Sequence, residues 1–281
     1  MIRRLYGKQA AMLAVAWAFS LTGMTAQTPP GHPAASACTG LPGHAALKAA
    51  LDSAVSAETS GLNNHMWATI VDRDGVVCAV AFSGANRGAQ WPGSRVISAQ
   101  KANTANAFSL DSSSNSGGSG QPKGLALSTA NLYSAVQPGG SLFGLQASNP
   151  VDTRVAYQGP ASNFGAASDP MVGQRIGGVN VFGGGLALYA TSAEKLVGAV
   201  GVSGDTSCAD HNIGWRVRHN LGLDHLANTA GVSGDPTRPD NIVFDITPNP
   251  NGGAGISAGG FGHPSCINTT GNYKTLPVVV P

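Results

Sequence analysis

The chain has 281 residues, 16 Lys and Arg against 14 Asp and Glu, a net charge of +2 and 42% hydrophobic residues. Only 11% of its residues are charged, and 39 glycines and 17 prolines punctuate it, which excludes a coiled coil. Moderate hydrophobicity at low net charge excludes a disordered chain, and the absence of a Lys/Arg cluster argues against a nucleic-acid partner.

Residues 1–26 have the pattern of a cleaved export signal: Arg3, Arg4 and Lys8 without an acid, an apolar run over 10–24, and a small residue at Ala26. The run is shorter than the ~20 residues a membrane-spanning helix needs, so the mature chain is expected to be periplasmic or extracellular, with no stable membrane insertion. Arg3-Arg4 partly matches a twin-arginine signal. Ala35-Ser36-Ala37-Cys38 offers a lipoprotein alternative, set apart from the apolar run by Pro29, Pro30 and Pro33. Residues 27–43 read as a linker. Cys38, Cys78, Cys208 and Cys266 remain after cleavage. An even number in an exported chain predicts two disulfides, and spacing leaves three pairings open. Joining Cys38 to Cys266 is preferred, because it would tie down both ends.

The body follows from residue 44. His44 to Thr59 has Leu47, Ala50, Leu51, Ala54 and Val55 at helical spacing, with Gly61 as the terminator. Two β-rich runs, 66–71 and 76–82, flank Asp74-Gly75, a strong hairpin signal. Ser94 to Leu110 reads as a helix with one stripe through Val96, Ala99, Asn103 and Ala107 and another through Ile97, Lys101, Thr104 and Phe108. Residues 111–178 form an irregular insertion: a flexible-looking segment to Gly124, a short helix over 125–136, then a Gly/Asn/Pro-rich excursion whose Phe143, Tyr157, Phe164 and Met171 do not suit a pure linker. A second hairpin is expected over 179–203, and a helix from about Cys208 to Leu221. Residues 224–281 read as an irregular extension wrapped on the surface, with one strand-like piece at 242–246. Tight hairpins imply antiparallel pairing, and helices between them cover the sheet, giving one α+β domain over 44–223.

Several catalytic patterns fail. Gly201-Val202-Ser203-Gly204-Asp205 ends in Asp, not the Gly of a nucleophile elbow. Pro122 breaks a P-loop, and Gly183-Gly184-Gly185 opens a strand where a dinucleotide fingerprint opens a helix.

Three segments together resemble the GlcG/HbpS-like haem-binding family, also described as haem-degrading-domain proteins. They are the hairpin Ile70 to Gly75, the helix motif Ala99-Gln100-Lys101-Ala102-Asn103-Thr104-Ala105 through Phe108, and Gly183 to Gly185 with Val197 to Gly204 before an Asp-bearing helix. The resemblance covers about 44–110 and 179–222. It implies an antiparallel sheet of about five strands with helices on both faces, a symmetric homo-oligomer, and haem as the cofactor. It implies binding, uptake, storage or sensing more than catalysis. A cofactor-degrading enzyme and a non-catalytic assembly module are the alternatives.

The candidate ligand-binding residues are Lys101 and Thr104, one helix face; Gly204, Asp205 and Thr206, a turn whose amides suit an anion; and His211, Trp215, Arg218 and His219, one face of the 208–221 helix. Imidazole ligates iron, indole stacks, and guanidinium pairs with carboxylate, so His211 and His219 are the candidate metal ligands. Each has a plainer reading. Lys101 snorkels and Thr104 bonds its own backbone; Ser207 and Asp210 cap a helix; and the 208–221 face meets another subunit. His65, Met66 and His225 are lesser candidates.

Overall fold

The computed structural model describes residues 38–114, 123–191, 195–269 and 272–281. The expected export signal and most of the linker lie outside them. No helix among the described residues is long and apolar enough to cross a membrane.

Six elements build the domain: α1 (His44–Ser56), β1 (Trp67–Asp72), β2 (Val77–Phe82), α2 (Ser94–Phe108), β3 (Gly185–Ala190) and β4 (Lys195–Ser203), with α3 (Leu145–Ser148) and α4 (Thr153–Ala156) as single turns in the insertion. A longer helix, α5 (Ser207–Asn220), follows β4. The strands form one antiparallel sheet in the order β2-β1-β4-β3. The α+β class is as read from sequence, with four strands in place of about five.

The hairpin signal folds as its chemistry dictates. Asp72 Oδ1 accepts the amides of Asp74 and Val76, and Gly75 takes φ +76° to close the turn. Along β1, side chains alternate between two cores. Ala68 and Ile70 join α1 and α5 on one face, and Trp67 and Val71 join α2 on the other. The buried face of α2 carries Val96, Ala99, Ala102 and Ala105. Small residues let it lie close: a Cβ at Gly201 would strike the Ser98 carbonyl, and one at Gly185 the Lys101 carbonyl. These glycines therefore serve helix-on-sheet contact.

Several expectations need correction. The second strand pair begins at Gly185, not Val179, and the short helix at 125–136 is two 3₁₀ turns, Thr129–Leu132 and Ser134–Val136. The disulfides are Cys38–Cys78 and Cys208–Cys266, so Cys38 does not reach Cys266. The insertion contributes Ala156, Met171 and Ile176 to the α2-side core, while Phe143 and Tyr157 stay exposed. The extension is irregular, with only a two-residue ladder between β5 (Ile246–Thr247) and β6 (Ile256–Ser257). It is more than a surface wrap: Leu226, Leu276 and Val279 enter the main core beside Trp215 and Val217.

Candidate functional site

The residues singled out on α2 and α5 meet one another inside the protein. Lys101 and Asp210 are fully buried, with Lys101 Nζ 2.6 Å from Asp210 Oδ2, 3.0 Å from the Val202 carbonyl and 4.3 Å above the Phe182 ring. Asp210 Oδ1 accepts the amides of Gly204 and Asp205 at 3.1 and 2.9 Å. Burial pushes the Asp210 carboxyl up to about 6, opposed by the Lys101 ammonium, and burial lowers Lys101 against the pull of Asp210. The pair ties α2 to the start of α5.

The neighbouring candidates are committed to structure as well. Asp205 accepts the amides of Leu62 and Asn64. Thr206 caps α5 by accepting the Ala209 amide, so the cap is Thr206 and not the Ser207–Asp210 box. Thr104 donates to the Gln100 carbonyl at 2.8 Å and accepts the Asn180 amide at 2.9 Å.

The extension covers the α5 face. Trp215 Nε1 donates to the Pro277 carbonyl at 2.9 Å, and Arg218 forms a fully buried two-point pair with Asp240 at 2.6 and 2.9 Å. His211 is fully buried, with Nε2 3.2 Å from both Asn241 Oδ1 and the Ile242 amide, and Nδ1 has no partner. Burial pushes His211 down to about 4. Of the four, only His219 reaches solvent, its side chain 42% exposed and 2.7 Å from Asp224. Apart from His219 and the part-exposed Thr206, the structure packs these candidates together in the interior. Met66 is buried; His65 and His225 lie nearer the surface, bonded to Ser83 and to the chain end at Pro281.

A different region presents an open concavity. A groove of about 440 Å³ lies between the start of α1, the end of β2 with its following loop, and the insertion. Its walls carry His44, Lys48, Phe82, Arg87 and Phe164. The insertion side is built firmly. Arg95 and Asp169 form a buried ion pair, the Arg95 guanidinium lies 3.7 Å over the Phe164 ring, and Asp169 accepts the amides of Gly165 and Met171. Gly165, at φ +79°, has no room for a side chain, since a Cβ would run into Phe82 and Trp67. Phe82 is held edge-on to Trp67, 5.2 Å between ring centres.

His44 Nε2 lies 2.9 Å from the Gly165 carbonyl. A carbonyl only accepts, so Nε2 donates, and in the neutral ring the lone pair lies on Nδ1, the form of imidazole that a metal takes. Lys48 is part-exposed and paired with Asp52 at 2.8 Å. Arg87 is exposed and makes no ion pair among the described residues. Sequence reading missed this site because its parts come from α1 (positions 44 and 48), the end of β2 (82), the loop after it (87) and the insertion (164). The one local signal was His44 and Lys48, four apart on α1.

The model of the family described as "Haem degrading protein HbpS-like" matches residues 43–216. The chain belongs to that family. Among solved structures, Klebsiella pneumoniae protein ORFY is 24% identical, with 64% of this chain and 89% of that one covered at a TM-score of 0.39. A PduOC:haem complex is 20% identical, over 63% and 89% at 0.39. A double mutant of Streptomyces reticuli HbpS is 15% identical, over 74% and 99% at 0.38. No curated protein matches the chain at a significant level.

Proposed function

We propose that this member of the HbpS-like family binds haem or a closely related iron tetrapyrrole in the groove at the start of α1. The carrying observation is the donor set there: an imidazole with an uncommitted nitrogen, two cations and two phenyl rings around one open concavity. These residues fit the group. His44 holds the iron, Phe82 and Phe164 pack against the apolar macrocycle, and Lys48 and Arg87 pair with its carboxylates. The Lys101, Asp210 and α5 cluster fits it less well, because Lys101, Asp210, His211, Trp215 and Arg218 are buried and bonded to other parts of the protein. Bound in the groove, haem supplies an iron centre able to take up and release electrons. The protein's own residues anchor it and leave one side to solvent, which suits uptake, storage or sensing. Export to the periplasm or beyond, and a homo-oligomeric state, belong to the same proposal. The two disulfides support the first, and light scattering behind a sizing column tests the second.

Haemin titrated into the apoprotein should give a saturable, shifted Soret band with one equivalent per chain. His44→Ala should abolish the shift while leaving the circular dichroism of the fold intact. An unchanged Soret titration in that variant would overturn the placement. The family description favours a second reading, haem breakdown. Under it, haemin bound to the protein bleaches with ascorbate and dioxygen in the presence of catalase; under the binding reading the spectrum persists.

A further inference from the structure

A cluster far from the groove in sequence lies at the start of α5, where the extension returns. Cys208 Sγ, a ring nitrogen of His263 and Cys266 Sγ all lie within 4.8 Å of one another. The Pro264 carbonyl oxygen joins them, 3.7 Å from Cys208 Sγ and 3.9 Å from Cys266 Sγ, and accepts a hydrogen bond from His263 Nδ1 at 2.6 Å, so the ring proton has to move to Nε2 before Nδ1 can take a cation. We propose that these four donors form a redox-gated site for one thiophilic divalent cation of the zinc class, closed while Cys208 and Cys266 are joined and opened by a dithiol reductant.

The chemistry of the donor set points to that cation. Two sulfurs, one imidazole nitrogen and one carbonyl oxygen suit a tetrahedral d¹⁰ ion. With metal–sulfur bonds of about 2.3 Å, two thiolates in a tetrahedral site sit roughly 3.8 Å apart. Opening the disulfide thus needs a small separation of two atoms already in place. The outer partners are present too: Ser207 Oγ lies 2.6 Å from His263 Nε2 and accepts the Gly183 amide. With Nδ1 on the metal, the imidazole carries its proton on Nε2 and donates it to Ser207 Oγ, which orients the ring. The Tyr133 and Phe244 rings flank His263 at 5.1 and 6.4 Å.

The position also favours reduction in one direction. Cys266 is part-exposed while Cys208 is buried as the second residue of α5, so an incoming thiolate meets Cys266 first. The sulfur released is then Cys208, at a helix N-terminus that stabilises a thiolate and makes it a good leaving group. The dithiol gives two electrons and two protons, becoming a cyclic disulfide, and the protein gains two thiols. The cation then displaces both thiol protons to solvent.

The test uses the full chain without haemin, so its failure leaves the haem reading standing, and the reverse. A Cys38→Ser, Cys78→Ser double variant confines the thiols to this site. It is reduced with dithiothreitol, desalted under nitrogen and titrated with Co²⁺ as a coloured stand-in for Zn²⁺. One Co²⁺ per chain should bind with a sulfur-to-cobalt charge-transfer band, Zn²⁺ should displace it, and the oxidised protein should bind none. His263→Ala should weaken binding at least tenfold and Ser207→Ala about tenfold. Absence of the band, or a band kept in full by Cys266→Ser, overturns the site. If the reduced protein loses its circular dichroism, recovery on adding Zn²⁺ supports the proposal and no recovery overturns it. If the double variant does not fold, the same titration of the reduced wild-type chain is read against its Cys266→Ser variant.

Discussion

Two regions of this molecule carry the residue types of a haem site, and they differ in what covers them. The α5 face has His211, Trp215, Arg218 and His219, but residues 240–242 and 277 of the extension lie across it. The groove at α1 has His44, Lys48, Phe82, Arg87 and Phe164, and stays open. On α5 the Arg218–Asp240 pair and the Trp215 and His211 Nε2 bonds tie the helix to the extension, although His211 Nδ1, Arg218 Nε and the Asn212 amide are buried without a partner. In the groove, one imidazole nitrogen and one guanidinium have no partner among the described residues. Residue type alone is therefore a poor guide to a site; what matters is which polar groups the rest of the chain leaves uncommitted.

The sharpest way to separate the regions is to break the α5 pair. Arg218→Met leaves Asp240 buried without a partner and should cost about 3–5 kcal/mol, read as a lowered midpoint in urea. Haemin affinity of the folded fraction should not change. A selective loss of haemin binding with normal stability would reverse the two assignments.

Acid should probe the same interior. His211 titrates near 4 when folded against about 6.5 unfolded. The unfolded chain binds more protons between these values, so this stability is present above pH 6.5 and lost as pH falls to 4. The raised Asp210 carboxyl acts with the opposite sign over about 3.8 to 6, so the isolating measurement is a difference. Between pH 6.5 and 4 the wild type should lose on the order of 3 kcal/mol more than His211→Asn. Parallel melting curves for the two proteins would show that His211 is not held neutral.

The groove should respond in the other currency. His44→Ala should lower haemin affinity at least tenfold with little change in thermal midpoint. Arg87→Ala should weaken it only a few-fold, and the deficit should shrink as salt rises, because an exposed cation contributes about 0–1 kcal/mol. An equal loss at every ionic strength would mean that Arg87 acts through shape and not charge.

The elements were largely legible in the sequence, and the candidate groove was not. The hairpin at Asp72 to Gly75 is a local object: one carboxylate, one left-handed glycine and two β-rich runs suffice. Helices α1 and α2 announce themselves by spacing. The stripes on α2 were shifted from the observed ones, since buried Ser94, Ser98 and Asn106 do not look apolar. The family motif around Lys101 was readable, but its meaning was not. Lys101 can point at a ligand or at Asp210, and 109 residues of chain separate that pair. The glycines of 183–185 and 201 were readable only as part of the motif that resembles the family, and the packing reveals that each admits a close backbone approach.

The sequence by itself determined the class, the order of helices and strands, the antiparallel pairing and the number of disulfides, because each rests on spacing, turn chemistry or counting within a short stretch. Only the tertiary structure decided which cysteines join, which histidine stays open and which is entombed. Those outcomes depend on where residues 111–178 and 224–281 dock. These are irregular segments without periodicity, whose path is set by the cavities that the regular elements leave to be filled.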